Sequence, residues 1–324
     1  MNAVGIDVSK GKSMVAILRP YGEIVASPFE VKHTASNLNS LIELIKSIDG
    51  ESRIVMDELC NQIKTMNRQF GFYMKHKTAM KNKLIGILDQ TYPGVNTYFD
   101  SPARSDGSQK WVDFASTYWH IDCVRKMSLN AFIDHYQMWC KRKKYNFSRS
   151  KAEEIYGKAK ELVPVLPKDE VTKLIIKQAI DQLNNASVTV EELRFLMNET
   201  ASKLPEYPIV MQMKGVGPSL GPQLMGEIGD VTRFTHKGTI TAFAGIDPGV
   251  NESGSYEQKS VSTSKRGSSE LRKTLFQVMD VLIKTMPQDD PAYKFLDKKR
   301  SQDKPYCVYM TAGANKFYES TMDG

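Results

Sequence analysis

Short apolar runs separated by turn residues occupy the first 56 residues of the chain, and this pattern predicts strands. Runs at residues 3–8 and 13–19 are followed by a turn that contains Pro20 and Gly22, and a third run covers residues 24–32. The next stretch repeats apolar positions at helical spacing after a Thr-x-Ser signal for a helix N-cap, and one more apolar run follows it. An antiparallel meander of three strands, a helix and a fourth strand are therefore predicted.

Beyond the fourth strand the apolar pattern changes to that of a long helix. From residue 59 to residue 87, apolar side chains recur at alternating steps of four and three over about four heptads, with Lys77 as the polar exception. A second seam runs from residue 176 to residue 204 and ends before Pro205. The two seams predict either a coiled coil or ordinary bundle helices that could pack on each other. Shorter helices are predicted at residues 109–119, 129–143 and 151–162.

These patterns divide the chain into four parts. We expect an α/β domain at residues 1–57, a helical coiled-coil and linker region at 58–205, an α-rich C-terminal domain at 206–317 and a polar tail at 318–324. No apolar run approaches the roughly 18 residues that span a bilayer, and no leader pattern opens the chain, so a cytoplasmic protein without a membrane partner is expected. The four cysteines are widely spaced, which argues against a zinc site and a disulfide framework.

The chain is basic, with 44 Lys and Arg residues against 37 Asp and Glu residues and a pI near 9.0. Clustered cations are typical of proteins that bind nucleic acid, because each neutralised phosphate releases counterions. A single basic cluster can equally be a solvated helix face, but several clusters together favour a nucleic-acid partner. The clusters lie at residues 75–77, 81–83, 141–144, 265–266 and 298–300.

The first motif with chemical meaning is Gly-Ile-Asp-Val-Ser-Lys on the opening strand, with Asp7 as its carboxylate. The predicted meander, helix and fourth strand are the opening of an RNase H-like sheet, in which a carboxylate on the first strand holds a catalytic Mg²⁺. An Asp at a strand end is also a common turn former. A sugar-kinase-like ATPase fold is a further alternative, but it needs a glycine soon after the Asp, and residues 8–10 contain none.

The second motif, Met-Lys-Gly-Val-Gly-Pro-Ser-Leu-Gly, joins two predicted helices. Its residues Lys214, Gly215 and Gly217 suit a hairpin whose exposed amides contact a DNA phosphate. A plain turn between two helices is the alternative.

The third motif is a Ser/Thr-rich loop that contains Ser264 and follows a Phe-Ala-Gly-Ile-Asp-Pro-Gly segment. A hydroxyl that attacks phosphorus needs nearby cations to stabilise the phosphoryl transition state, and Lys265, Arg266 and Arg272 lie close by in sequence. A solvated serine without a catalytic role is the alternative.

In this order and spacing, these motifs resemble the insertion-sequence transposase family that includes the Piv and MooV DNA invertases. The resemblance covers nearly the whole chain, including the loop at residues 88–94, Leu-Asp-Gln-Thr-Tyr-Pro-Gly. It implies a RuvC-like domain, a coiled-coil arm that forms a dimer or tetramer, and a transposase domain whose serine bonds covalently to a DNA phosphate. On this resemblance Ser264 is the nucleophile and Asp7 the first Mg²⁺ ligand. DNA is then the substrate, and a structured guide RNA is a further partner.

The sequence departs from this family directly after the fourth strand. Family members place a Glu there, followed by two Asp residues three apart before the coiled coil, whereas here Asp57 and Glu58 already lead into the long helix. We infer an internal deletion, with Asp57 or Glu58 in the position of the missing Glu. A lone Asp7 binds Mg²⁺ poorly, since this ion sheds water only for several anionic ligands. We therefore expect a transposase whose catalysis is impaired. Of two hypotheses, an active serine recombinase and a nuclease-dead dimer that binds nucleic acid, as a decaying transposase would, the missing carboxylates favour the second.

Overall fold

A computed structural model gives the structure of the chain and describes residues 2–9, 11–20, 23–56, 58–231, 234, 236–247, 252–253, 256–257 and 263–322. The described chain is rich in helix and forms two compact units. Residues 1–65 and 197–324 form the first unit, and residues 66–196 form the second. None of the described helices combines the length and the apolar character needed to cross a membrane.

The N-terminal part of the first unit is a four-stranded sheet with the strand order β3-β2-β1-β4. The first three strands are antiparallel, as the turn signals predicted, and β4 pairs parallel to β1 with Ile6 beside Met56. Thr34 accepts a hydrogen bond from the backbone N–H of Asn37 and so begins the helix between β3 and β4, as predicted. The elements are β1 (Asn2–Ser9), β2 (Lys12–Leu18), β3 (Ile24–Lys32), α1 (Ala35–Lys46) and β4 (Ser52–Met56).

The second unit is built around an aromatic core. The ring of Phe114 lies within 6.3 Å of six other aromatic rings, among them those of Tyr118 and Trp139. Large rings bury much apolar area and pack edge to face, so this cluster accounts for a large share of the stability of the unit. Its helices are α3 (Lys110–Thr117), α4 (Asp122–Arg125), α5 (Leu129–Lys143) and α6 (Arg149–Glu161), together with parts of α2 (Glu58–Leu88) and α7 (Glu170–Ala201).

The two predicted seams lie on α2 and α7. Phe70 and Leu84 of α2 are buried, as are Ile180 and Leu183 of α7. Within the second unit the guanidinium of Arg194 lies 5.6 Å from the centre of the Phe70 ring, so the two helices contact each other there. Not every apolar side chain of these helices is covered: the side chains of Phe72 and Phe195 are largely exposed.

The C-terminal part of the first unit is a helical domain around α11. Buried side chains from α9 to α13 form its core, with Leu271, Leu275 and Val278 of α11 at the centre. Gly226 of α9 packs closely on α2, since a Cβ at this position would lie 2.7 Å from Cγ2 of Ile63. The elements are α8 (Tyr207–Gln212), α9 (Leu220–Ile228), α10 (Lys237–Ala244), β5 (Glu252–Ser253), β6 (Tyr256–Glu257), α11 (Ser269–Thr285), α12 (Pro291–Arg300) and α13 (Tyr306–Met322).

Helix α13 differs from the expectation of a polar tail after residue 317. The helix continues to Met322, and the ring of Tyr318 is buried in the core of the C-terminal domain. Burial of this ring favours continued helix, because it adds apolar area to the same face as Phe317 and Ala314.

Candidate active site

The candidate site is built on the C-terminal end of α10. Gly245 follows the helix in the left-handed conformation, with φ of 66°, and the N–H groups of Gly245 and Ile246 bond back to the carbonyls of Ala242 and Thr241. This is the usual way for a helix to end at glycine. It turns the chain so that Asp247 comes directly after the helix.

A loop that contains Ser264 crosses this turn in close contact. The N–H of Ser264 donates to the carbonyl of Asp247 at 2.9 Å, and the N–H of Ser268 donates to the carbonyl of Phe243 at 2.7 Å. Gly267 makes the approach possible, because a Cβ there would lie 2.0 Å from the Phe243 oxygen. The structure therefore brings together two motifs that the sequence places about twenty residues apart.

The Ser264 hydroxyl is half-buried and lies 2.5 Å from Oδ1 of Asp247, to which it donates a hydrogen bond. A hydrogen bond to a carboxylate is charge-assisted and orients the hydroxyl firmly. Asp247 is therefore the best-placed acceptor for the hydroxyl proton among the described residues. It was not a candidate from sequence, although its position two residues after the helix-ending Gly245 could have pointed to it.

Ser268 fixes the far end of the loop to the domain core. Its Oγ accepts a hydrogen bond from the N–H of Leu271 at 3.2 Å and so begins α11, and it donates to Oε2 of Glu227 at 3.0 Å. Glu227 is buried on α9. The loop is thus held at one end by the turn after α10 and at the other by a buried carboxylate.

The three cations predicted beside Ser264 have different environments. Lys265 and Arg266 are exposed, form no ion pair among the described residues, and remain available to an anionic ligand. Lys265 adopts a φ of 53°, which is uncommon for a residue with a side chain. Arg272 is half-buried, and its Nη1 donates to the carbonyl of Ala244 at 3.0 Å. Arg272 therefore holds the end of α10 in position.

The predicted hairpin between α8 and α9 lies elsewhere in this domain. Gly215 has a φ of 79°, and a Cβ there would lie 2.9 Å from Cγ of Leu282, so this glycine permits close packing on α11. Leu282 is fourteen residues beyond Ser268, which corresponds to about 20 Å along the helix. Gly217 has open space around it. Nζ of Lys214 lies 3.6 Å from Oδ2 of Asp289, an exposed pair that contributes little to stability.

The predicted Mg²⁺ site falls mostly outside the described residues. Asp7 lies on β1 in register with Met14, but its side chain, that of Glu58 and the whole of Asp57 are not among the described groups. Within the described part of the chain, no three His, Cys, Asp or Glu side chains lie together so as to hold a metal ion. The assignment of Mg²⁺ to Asp7, Asp57 or Glu58 stays a prediction.

Comparison with known proteins bears on the domain that contains Ser264. A search of curated proteins finds no match. Residues 207–294 match the model of the transposase IS116/IS110/IS902 family, a segment that begins with α8 and ends within α12. This match supports a transposase role and agrees with the motifs of the sequence, and it covers the segment that contains Ser264.

Proposed function

We propose that this chain is a transposase that joins itself covalently to DNA through Ser264. The observation that carries the proposal is the hydrogen bond from the Ser264 hydroxyl to Asp247, 2.5 Å long, inside the segment that matches the transposase family. A hydroxyl held against a carboxylate, with exposed cations next to it in sequence, has the groups that attack on a phosphodiester requires.

The chemical step follows from this arrangement. Oγ of Ser264 bonds to phosphorus while the bond from phosphorus to one deoxyribose oxygen breaks. The hydroxyl proton passes to Oδ1 of Asp247, and the leaving oxygen takes a proton from solvent. Lys265 and Arg266 stabilise the negative charge on the phosphoryl oxygens. Arg272 and Ser268 act as positioning residues, because their described hydrogen bonds go to the protein.

A second part of the proposal concerns metal-dependent cutting. The strand order β3-β2-β1-β4 supports a RuvC-like sheet with Asp7 on its first strand. Only residue 57 separates the end of β4 at Met56 from the start of α2 at Glu58, which leaves no room for a half-domain with two further Asp residues. Mg²⁺ would be held by Asp7 with Asp57 or Glu58, and would activate water or stabilise the leaving oxygen. Because two carboxylates hold Mg²⁺ only weakly, we propose that metal-dependent DNA cutting is impaired.

Partners of the proposed transposase follow from the same features. DNA is the substrate, and a structured guide RNA is a further partner that the family resemblance implies. The exposed rings of Phe72 on α2 and Phe195 on α7 support self-association along the helical arm, as a coiled-coil dimer or tetramer would use it.

Trapping the covalent bond to DNA tests the proposal. Labelled duplex DNA is incubated with the full chain, and adducts are resolved on a denaturing gel. The wild type and Ser269→Ala, a matched change at an exposed neighbouring serine, should form the adduct, whereas Ser264→Ala should not. Asp247→Asn should slow the reaction by about 10²-fold or more, because the amide accepts no proton. An adduct that persists in Ser264→Ala would refute the assignment.

A nuclease-dead protein that binds nucleic acid is the second candidate function. The direct passage from β4 to α2 favours it, since the segment that would carry two further Asp residues in the proposed RuvC-like site does not lie between these elements. It predicts salt-dependent DNA binding without any adduct and without strand cutting. Cutting that depends on Mg²⁺ and disappears in Asp7→Asn would exclude it.

A further inference from the structure

The net positive charge of the chain is confined to one of its two compact units. Residues 66–196 contain 21 Lys and Arg residues against 14 Asp and Glu residues, whereas the rest of the chain contains 23 of each. The formal net charge of +7 therefore belongs to residues 66–196, and the unit that contains Ser264 is balanced. Long-range attraction to a polyanion thus originates in the unit that lies outside the family match.

The densest basic cluster in this unit is at the end of α5. Lys141, Arg142 and Lys143 form its last turn, and Lys144 follows as the C-cap. Nζ of Lys143 lies 2.9 Å from Oδ1 of Asp113 and is thereby neutralised. The other three side chains are exposed and have no acidic partner among the described residues.

The end of the helix does not require these three cations. Cations are favoured at a helix C-terminus because they compensate the last carbonyls. Here Arg104 already does so, since its Nη2 donates to the carbonyls of Lys143 at 2.8 Å and Lys144 at 3.0 Å. Lys144 has a φ of 56°, a conformation that favours glycine or asparagine. Local folding therefore explains neither the excess charge nor the choice of lysine.

The aromatic rings on α5 and directly after it bear on the kind of ligand. Trp139 stacks between Tyr136 and Tyr145, with ring centres 5.5 and 5.3 Å away, and the guanidinium of Arg104 lies 4.0 Å from the centre of the Tyr145 ring. The faces of these rings are thus occupied. Proteins that bind single strands stack bases on free ring faces, whereas contact with a duplex backbone needs only cations.

We propose that Lys141, Arg142 and Lys144, here called the α5 basic surface, bind the phosphate backbone of duplex DNA without reading its sequence. The inference rests on the proposed function, since it takes DNA as the substrate. It adds a second contact region, in a different unit from Ser264 and from the hairpin between α8 and α9.

The test removes the three charges and measures how binding depends on salt. The full chain with Lys141→Gln, Arg142→Gln and Lys144→Gln is titrated onto a fluorescent 30-base-pair duplex at several KCl concentrations. The matched control carries Lys32→Gln, Lys203→Gln and Lys284→Gln, which remove the same charge from exposed positions of the balanced unit that belong to none of the basic clusters. A plot of log K against log salt has a negative slope, and each lost phosphate contact reduces its steepness by about 0.9. The steepness should therefore fall by about 2 to 3 in the triple variant, and the affinity should fall by at least about tenfold. The control should stay within about twofold of the wild type, because its residues lie outside the proposed surface.

The single variant Arg142→Gln tests the same effect in case the triple variant does not fold, and it should reduce the steepness of the salt dependence by about 0.9. An equal loss of affinity in the control would overturn the proposal, as would a loss seen with an RNA duplex or a single strand but not with duplex DNA. Adduct formation through Ser264, measured at saturating DNA, separates this inference from the proposed function. If the triple variant lowers the salt slope but the wild type forms no adduct, the binding surface stands and the serine chemistry fails. If the triple variant leaves the slope unchanged and the wild type forms the adduct, the serine chemistry stands and the proposed binding surface fails.

Discussion

Replacing Gly267 by alanine tests whether close contact between the two loops holds Ser264 in place. The added Cβ would lie 2.0 Å from the carbonyl oxygen of Phe243 and 2.5 Å from the backbone nitrogen of Gly245. Both neighbours are backbone atoms, which cannot turn away as a flexible side chain can. Since such contacts do not fall much below 3.0 Å, the two segments must separate by about 1 Å.

This separation affects stability and chemistry by different amounts. It weakens the hydrogen bonds from Ser268 to Phe243 and from Lys265 to Gly245, each of which contributes about 1 kcal/mol. Overpacking adds roughly 1 to 3 kcal/mol, so the free energy of unfolding should fall by about 2 to 4 kcal/mol. A displacement of about 1 Å at Ser264 should slow adduct formation by about 10²-fold.

Urea unfolding and the rate of adduct formation measure the two effects. Gly157→Ala is the matched control, because its Cβ would meet no atom within 4 Å on an exposed turn of α6. The control should raise the free energy of unfolding by about 0.5 to 1 kcal/mol and leave the adduct rate unchanged. The reasoning fails if Gly267→Ala is as stable as the wild type and reacts at the same rate.

Two further predictions concern the second unit. Arg104→Gln should lower the free energy of unfolding by about 1 to 3 kcal/mol in a urea titration, because it removes the charged bonds to the last α5 carbonyls and the contact with an aromatic ring; an unchanged midpoint would contradict this role. Asp122→Asn should reduce the amount by which the free energy of unfolding falls as the pH is lowered into the acid range. Burial raises the pKa of Asp122, but hydrogen bonds from Lys126 and Arg125 outweigh it and leave the pKa below its ordinary value. The stabilisation is therefore complete above the unfolded pKa of about 3.9 and is lost as pH falls through the lower folded pKa. Urea unfolding at pH 7 should show Asp122→Asn to be less stable than the wild type. Between about pH 4 and pH 2 the free energies of unfolding of the two proteins should converge.

Sequence periodicity predicted the elements whose causes are local. Helix α5 spans residues 129–143 as predicted, because Ser128 caps its start and apolar side chains recur at helical spacing. The strands of the N-terminal meander follow from the turn that contains Pro20 and from alternation of buried and exposed positions along β2. Each of these signals lies within a few residues of the structure that it determines.

The candidate site depends on pairings that no local signal contains. Asp247 and Ser264 are 17 residues apart, and Glu227 and Ser268 are 41 residues apart. Motif spacing drew attention to Ser264 but not to its carboxylate partner. The glycine at position 215 shows the opposite difficulty, since Gly-x-Gly suggested a phosphate contact whereas the described contact of this residue is with Leu282. Nonlocal packing decides such cases, and the residues around each motif do not specify it.

The distribution of charge determines which experiments can separate the two candidate functions. If the attraction to DNA comes mainly from residues 66–196, it survives any loss at Ser264 or at the metal ligands, because the unit that holds these groups contributes no net charge. An active recombinase and a nuclease-dead binder would then have similar affinity and similar salt dependence. DNA binding alone therefore cannot distinguish them, and formation of the Ser264 adduct can. The same argument predicts that Ser264→Ala binds duplex DNA as tightly as the wild type, and a large loss of affinity in that variant would place the main contact at the serine loop instead.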